Sequence, residues 1–178
     1  YAVDALQQMV KAHGFSAADV VGVKCEVPPL TMRLVGRPDI PDPQPNYAKL
    51  CLGYVCATTL LNGTINQHDF APDALGRANV HDLAQRVEVV EDSNPDLNAF
   101  GPQTITVTLK DGTVHNLTVT HAMGDPLNPL PRDRQLEKFW SCWAAAKSDM
   151  PRERGDALIG LIDRLDTLGD TAVLLDHI

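Results

Sequence analysis

The stretch from Pro45 to Gly63 is apolar on nearly every side of the helix that it predicts, and its single charge is Lys49. The apolar residues of this stretch include Leu50, Cys51, Leu52, Val55, Cys56, Ala57, Leu60 and Leu61. A helix that is apolar all round has to be enclosed. We therefore expect it to lie between this chain and something absent from it, with the phenol of Tyr54 in that seam.

Hydrophobic periodicity predicts a helix and then a strand at the start of the chain. Val3 to His13 has helical spacing and is followed by Gly14, a residue common just past a helix end. Residues 20–27 alternate as a half-buried strand does, and Pro28–Pro29 ends it. The inward face of this strand would carry Val21, Val23, Cys25 and Val27.

Prolines and caps divide the middle of the chain. Residues 30–45 contain Pro38, Pro41, Pro43 and Pro45, which predicts an extended connection into the apolar helix. Asn79 is a candidate N-cap for a short helix over residues 80–85. Residues 87–90 then have the composition of a strand that ends in an acidic turn.

The clearest local pattern is a hairpin over residues 104–120 with its tight turn at Asp111–Gly112. Threonines alternate with the apolar residues Ile105, Val107, Leu109, Leu117 and Val119.

Two amphipathic helices are predicted after the hairpin. The first runs from about Asp133 to Lys147, and the second lies within residues 152–178, with a short final turn around residues 173–175. The first would bury Leu136, Phe139, Trp140 and Trp143. The second spaces Leu158, Leu161, Ile162, Leu165 and Leu168 along one face.

This order of elements predicts the α+β class: a two-layer sandwich of a small, mostly antiparallel sheet with helices, plus C-terminal helices. The 178 residues, 44% of them hydrophobic, fit a single domain over residues 1–178. The chain begins at Tyr1 within a predicted helix, so we expect it to be part of a longer polypeptide.

Charge and composition narrow the function classes. A formal net charge of -8 disfavours a nucleic-acid partner, and no run approaches the roughly 20 apolar residues of a membrane helix. Without a signal-peptide pattern, a cytoplasmic location is expected. We predict reduced, buried thiols for Cys25, Cys51, Cys56 and Cys142, because their spacing is not that of a metal site.

Candidate chemistry on the residues alone is sparse. The common nucleotide, hydrolase and zinc motifs are absent, and the six histidines are scattered, so we assign no metal site. Tyr54 is either a core tyrosine bonded to a carbonyl or a phenol that donates to a substrate carboxylate or moves a proton. For Lys138, Arg132 and Arg134 we favour solvated surface positions over an anion-binding role.

An ordered set of short segments resembles the C-terminal domain of the MmgE/PrpD (2-methylcitrate dehydratase) family. The segments are residues 48–54, 61–63, 110–112, 124–129 and 136–139, and the resemblance covers nearly the whole chain. It implies a chorismate-mutase-like sandwich that closes over a cleft in a separate helical domain, with residues 1–15 and 150–178 as candidate contacts to it. Tyr54 matches the active-site tyrosine of the family pattern. Leu50, Cys51 and Gly53 stand where that pattern has Phe, Ser and Pro.

The resemblance also implies a function: the lid of a cofactor-independent lyase or isomerase that acts on small di- or tricarboxylates, in a homodimeric parent. We favour a 2-methylcitrate dehydratase-like hydro-lyase with Tyr54 as a catalytic residue. A cis-aconitate decarboxylase or an iminodisuccinate epimerase relative stays open. So does a purely structural lid and dimer contact. A free-standing small-molecule-binding module is a weaker alternative. Because most catalytic groups would lie upstream, we expect the isolated chain to be inactive.

Overall fold

The computed structural model describes residues 1–146 and 150–177. In that part of the chain the strands are β1 (Val20–Val27), β2 (Val87–Glu91), β3 (Gln103–Leu109) and β4 (Val114–Val119). The α-helices are α1 (Ala2–His13), α2 (Pro29–Val35), α3 (Pro45–Lys49), α4 (Leu52–Asn62), α5 (Pro72–Leu75), α6 (Ala78–Ala84), α7 (Arg132–Ala144) and α8 (Arg152–Ile162). Short 3-10 turns cover Ala17–Asp19, Gln67–Phe70, Leu165–Thr167 and Thr171–His177.

The four strands form one mixed sheet in the order β2-β1-β3-β4. The pair β1–β2 is parallel, whereas β1–β3 and β3–β4 are antiparallel. Helices α1 and α4 pack on one face of this sheet, and the opposite face carries polar pairs such as Thr104 with Thr118 and Asn116 with Thr106. The predicted α+β class with a mostly antiparallel sheet is confirmed.

The chain divides into two compact units, Tyr1–Asn128 and Pro129–Ile178. The first contains the whole sheet and its core, whose largest fully buried side chains include Tyr54, Leu6, Ile105 and Val20. The second contains α7 and α8. The sequence predicted one domain, and compactness alone does not decide whether the two units fold together, so that expectation stays a prediction.

Local signals placed several elements correctly. Helix α1 ends at Gly14, which adopts the left-handed conformation (φ 72°) and donates its N–H to Val10 O. The hairpin turn contains Gly112 at φ 86°, and Ile105 and Val107 are fully buried on β3. These predictions depended on residues close together in sequence, and they are confirmed.

The face prediction for β1 is wrong at its first residues. Val21 is 52% exposed and Val20 is fully buried. The pairing of β1 with β3 shifts register between Val20 and Gly22, and such an irregularity moves the preceding side chain to the other face. From Val23 onwards the predicted alternation is confirmed.

The proline-rich connection was predicted to be extended throughout, but it begins with helix α2. Pro29 occupies the first turn of this helix, where a missing N–H costs nothing and the fixed φ favours the helix. Asn79 lies inside helix α6 rather than at the predicted N-cap, a position that Arg77 occupies without a side-chain capping bond.

The predicted long helix over residues 45–63 is two helices, α3 and α4, with a break at Leu50 and Cys51. Cys51 forms an isolated β-bridge with Gly36, and Leu50 is 41% exposed. The prediction that α4 is enclosed partly by something absent from this chain is also wrong. Its buried residues are enclosed within this chain, where α1, α3, α6 and β2 pack around it.

The C-terminal unit is less buried than predicted. Helix α7, all of which the structure describes, has no buried residue. Its half-buried aromatic residues Phe139, Trp140 and Trp143 contact one another, with Phe139 stacked on Trp143 and edge-on to Trp140. In α8 only Gly155 and Leu158 are buried. Cys142 is exposed, contrary to prediction. The predicted helix ends at Lys147 and Ile178 lie outside the described residues.

No described helix has the length and apolarity that crossing a membrane requires.

Candidate functional site

Tyr54, the one predicted catalytic residue, lies in the first turn of α4 at the centre of the N-terminal unit. Its side chain is fully buried. The hydroxyl donates to Asp69 O at 2.7 Å and lies 3.3 Å from Ala74 O. The phenolic proton is therefore held by main-chain carbonyls of this chain, an arrangement that fits the structural interpretation. The catalytic role of Tyr54 stays a prediction.

The side chain of Asp69 fixes the backbone segment that accepts the hydrogen bond of the Tyr54 hydroxyl. The residue is 4% exposed, and its carboxylate accepts from Asn62 Nδ2 at 2.8 Å, from Asn66 N at 2.9 Å and from Arg77 at 3.2 Å. A buried carboxylate is tolerated when its oxygens are paired in this way. The turn over residues 66–70 is thus fixed in place beside the phenol.

His81 lies beside the Tyr54 ring, with its ring centroid 5.8 Å from that of Tyr54. Its Nδ1 lies 2.7 Å from Asp39 Oδ2, and its Nε2 lies 2.7 Å from Leu75 O. Because both neighbours are acceptors, only the imidazolium donates to both. Burial alone lowers the pKa of His81, but the bonds to Asp39 and Leu75 O and the charges of Asp39 and Asp42 outweigh it and raise that pKa above 6.5.

The protonation state of Tyr54 follows from its surroundings. Burial raises the pKa of the phenol; the Arg77 charge opposes this rise, and the Asp69 charge adds to it. At neutral pH the hydroxyl is protonated. Tyr54 can therefore donate a hydrogen bond or a proton, but it is not poised to act as a base.

The positions of His81, Asp69 and Arg77 around Tyr54 were not predicted from the sequence. The partner of His81 on the proline-rich segment is 42 residues away, so no local spacing signals the pair. Asp69 could have been recognised as a capping residue, because Asn66 stands three positions before it and the two form a capping box.

The cationic candidates of the C-terminal unit pair within that unit. Arg132 binds Asp163 at 2.5 Å, and Arg134 binds Glu137 at 2.7 Å. Lys138 is exposed. These contacts agree with the surface positions favoured from the sequence.

Metal-ligating residues do not converge in the described part of the chain. Within residues 1–146 and 150–177, no group of three or more His, Cys, Asp or Glu side chains is arranged to hold a metal ion. The buried thiols of Cys25 and Cys56 lie 4.0 Å apart. The bond to Cys25, followed by burial, raises the pKa of the Cys56 thiol. These thiols are packed core groups.

Comparison with known proteins gives a family and a distant relative. The model of the MmgE/PrpD C-terminal domain matches residues 1–160. Cis-aconitate decarboxylase of Mus musculus is 28% identical over 145 residues, which are 80% of this chain and 28% of that protein. The chain therefore spans just over a quarter of the length of this curated relative.

Proposed function

The chain belongs to the MmgE/PrpD family, and on that premise we propose that it is the C-terminal, closing domain of a lyase or isomerase acting on small di- or tricarboxylates. The observation that carries the proposal is the match of residues 1–160 to the C-terminal domain model. The α+β sandwich described above is the architecture that the resemblance implies.

The charge of the chain limits what it contributes to catalysis. Dehydrating a hydroxy tricarboxylate needs a base for a carbon-bound proton, an acid for the departing hydroxyl, and cations for the carboxylates. The chain has 15 Lys and Arg against 23 Asp and Glu, and Arg77 is already paired with Asp69. We infer that the base and the main carboxylate clamp belong to a helical domain of the full-length protein.

Tyr54 is the group we assign to the reaction from this chain. The protonated phenol suits the acid or a hydrogen-bond donor to a substrate carboxylate. The hydroxyl donates its hydrogen bond to Asp69 O in this structure. This bond therefore has to break before the hydroxyl can donate to a substrate. The rival is a purely structural Tyr54 that holds this segment to α4.

Tyr54→Phe in the full-length protein separates the two roles. A donor to the transition state predicts a kcat about 100-fold lower with little change in KM. It also predicts loss of the alkaline limb of the pH profile that deprotonation of the phenol produces. Tyr47→Phe, which removes a hydroxyl bonded to Pro38 O, is the matched control. Unchanged kcat with lower stability would leave Tyr54 structural.

The reaction we favour is the dehydration of 2-methylcitrate. The relative described above favours a second candidate, loss of carbon dioxide from cis-aconitate. Incubating the full-length protein with each substrate and following the products by NMR distinguishes them. Water loss from 2-methylcitrate supports the first candidate, carbon dioxide release from cis-aconitate supports the second, and turnover of neither contradicts both.

The partners we propose are the small carboxylate, the helical domain and a second copy of the full-length protein. The homodimer rests on the family resemblance. Light scattering of the full-length protein tests it, and a monomeric mass would contradict it.

A further inference from the structure

Asp4, in the first turn of α1, is a buried carboxylate that the function proposed above does not use. It is 8% exposed, and its Oδ1 accepts from Gln8 Nε2 at 2.9 Å. Within the described residues, its buried Oδ2 has no hydrogen-bond partner. A buried carboxylate oxygen without a donor is unfavourable, so this oxygen indicates a missing partner.

Asp4 lines a small cavity at the end of β4. The cavity measures about 260 Å³. Its polar lining comes from Asp4, Gln8, Thr118, Thr120, His121 and Asn128. The volume lies below the roughly 300–1,000 Å³ of sites for drug-sized ligands. It suits a small molecule or the end of one side chain.

The lining of this cavity is rich in acceptors. Gln8 uses its amide nitrogen on Asp4, and Asn128 uses its amide nitrogen on His121 O at 2.9 Å. Each amide keeps its carbonyl oxygen as an acceptor, together with one remaining N–H. The lining contains no Lys or Arg, and His121 lies 3.6 Å from Asp125, a second carboxylate nearby.

We propose that this cavity binds an organic nitrogen cation, a primary ammonium or guanidinium group, with the Asp4 carboxylate as its main acceptor. Such a cation supplies both the missing donor and the compensating charge. A calcium ion is a poorer fit, because it takes six to eight oxygens and usually several carboxylates. Because a carboxylate in the lining repels an anionic substrate, this proposal does not rest on the function proposed above.

The test is an NMR titration of the chain 1–178 with methylammonium and methylguanidinium at constant ionic strength. Saturable shifts of the Asp4, Gln8, Thr120 and Asn128 amides are expected. Tetramethylammonium carries the same charge without an N–H donor and should not produce them. Asp4→Asn should weaken binding about tenfold or more, whereas Asp73→Asn, the same charge change at an exposed site on α5, should not.

A second variant keeps the test decisive if Asp4→Asn does not fold. Thr120→Lys places an ammonium at the cavity lining and should block the probes, whereas Thr64→Lys, at an exposed loop position, should leave their binding unchanged. The absence of saturable shifts, or equal shifts with tetramethylammonium, would overturn the proposal.

The same titration distinguishes a free cation from a side chain of another copy. If a Lys or Arg of a second copy fills the cavity, the Asp4 amide shifts with protein concentration in the absence of any probe. In that case Asp4→Asn also weakens self-association in sedimentation. A free cation predicts no such concentration dependence.

Discussion

At the residue scale, the hydroxyl of Tyr54 is the most consequential polar group in the core of the N-terminal unit. It is the donor for Asp69 O, and it lies within 3.3 Å of Ala74 O. Tyr54→Phe leaves both carbonyls without this donor inside a packed core. We expect the free energy of unfolding to fall by about 1–2 kcal/mol in urea denaturation of the chain.

Tyr47→Phe provides the comparison for that loss. The Tyr47 hydroxyl also donates to a carbonyl, Pro38 O at 2.8 Å, but this bond is exposed to solvent although Tyr47 itself is partly buried. Water replaces such a bond, so its loss should change stability by no more than about 0.5 kcal/mol. Equal losses in the two variants would show that burial of the Tyr54 hydroxyl adds nothing.

His81 makes stability depend on pH. Folding raises its pKa above 6.5, so the folded chain binds the proton more tightly than the unfolded chain. The resulting stabilisation is fully present below pH 6.5 and is lost as the pH rises through the raised value. We therefore expect the unfolding free energy of wild type to exceed that of His81→Gln by an amount that decreases as the pH rises above 6.5.

The groups that interact with His81 are the carboxylates of Asp39 and Asp42 and the ring of Tyr54. His68→Gln, at an exposed position on the turn over residues 67–70, is the control and should keep the wild-type pH dependence. A constant difference between wild type and His81→Gln from pH 6 to 9 would contradict the prediction.

At the element scale, the start of α4 departs from the family pattern in a way that the structure explains in part. Gly53 lies in the first turn, and a Cβ there would meet Ala84 O at 3.5 Å and Val87 Cβ at 3.9 Å, which are ordinary contacts. The position therefore has room for a side chain. Gly53→Ala should stabilise the chain by about 0.5–1 kcal/mol through the lower entropy of its unfolded state.

Gly36 is the opposite case and serves as the control in thermal denaturation. A Cβ at Gly36 would lie 2.6 Å from Met32 O and would overlap the Met32 sulfur. Gly36→Ala should therefore lower the melting temperature, whereas Gly53→Ala should raise it. A lower melting temperature for both variants would mean that the backbone at Gly53 needs glycine.

Elements defined by neighbouring residues were predictable, and elements defined by distant pairing were not. The Gly14 cap and the turn at Asp111–Gly112 are local signals. The break between α3 and α4 coincides with the isolated β-bridge between Cys51 and Gly36. These residues are distant in sequence, so no local spacing predicts the bridge. The site divides in the same way: burial of Tyr54 was predictable, but its bond to Asp69 and the His81–Asp39 pair come from tertiary structure.

At the scale of the whole molecule, the charge of the chain predicts inactivity in isolation. A net charge of -8 repels a trianionic substrate, so we expect the cations that hold it to come from elsewhere. We expect no turnover of 2-methylcitrate or cis-aconitate by the isolated chain in an NMR product assay. The full-length protein is the positive control, and comparable activity of the chain alone would contradict the assignment of the main catalytic groups to another domain.

The two compact units make the single-domain prediction testable. All members of the main core cluster lie between Ala2 and Val119, so a chain of residues 1–128 retains that core. The described part of the unit over residues 129–178 has few buried apolar side chains. Leu158 is the large apolar residue that is buried on α8. Because burial of apolar surface is the main stabilising contribution, we expect residues 1–128 to fold alone and the second unit to unfold first.

The chain carries its own reporters for this experiment. Both tryptophans, Trp140 and Trp143, lie in the second unit, whereas the three tyrosines, Tyr1, Tyr47 and Tyr54, lie in the first. In urea denaturation of the chain 1–178, tryptophan fluorescence should change at a lower urea concentration than the circular dichroism of the sheet. The chain 1–128 should keep the second transition with its midpoint nearly unchanged. Coincident transitions, together with an unfolded 1–128 chain, would instead establish one cooperative domain over the whole sequence, because neither unit would then be stable without the other.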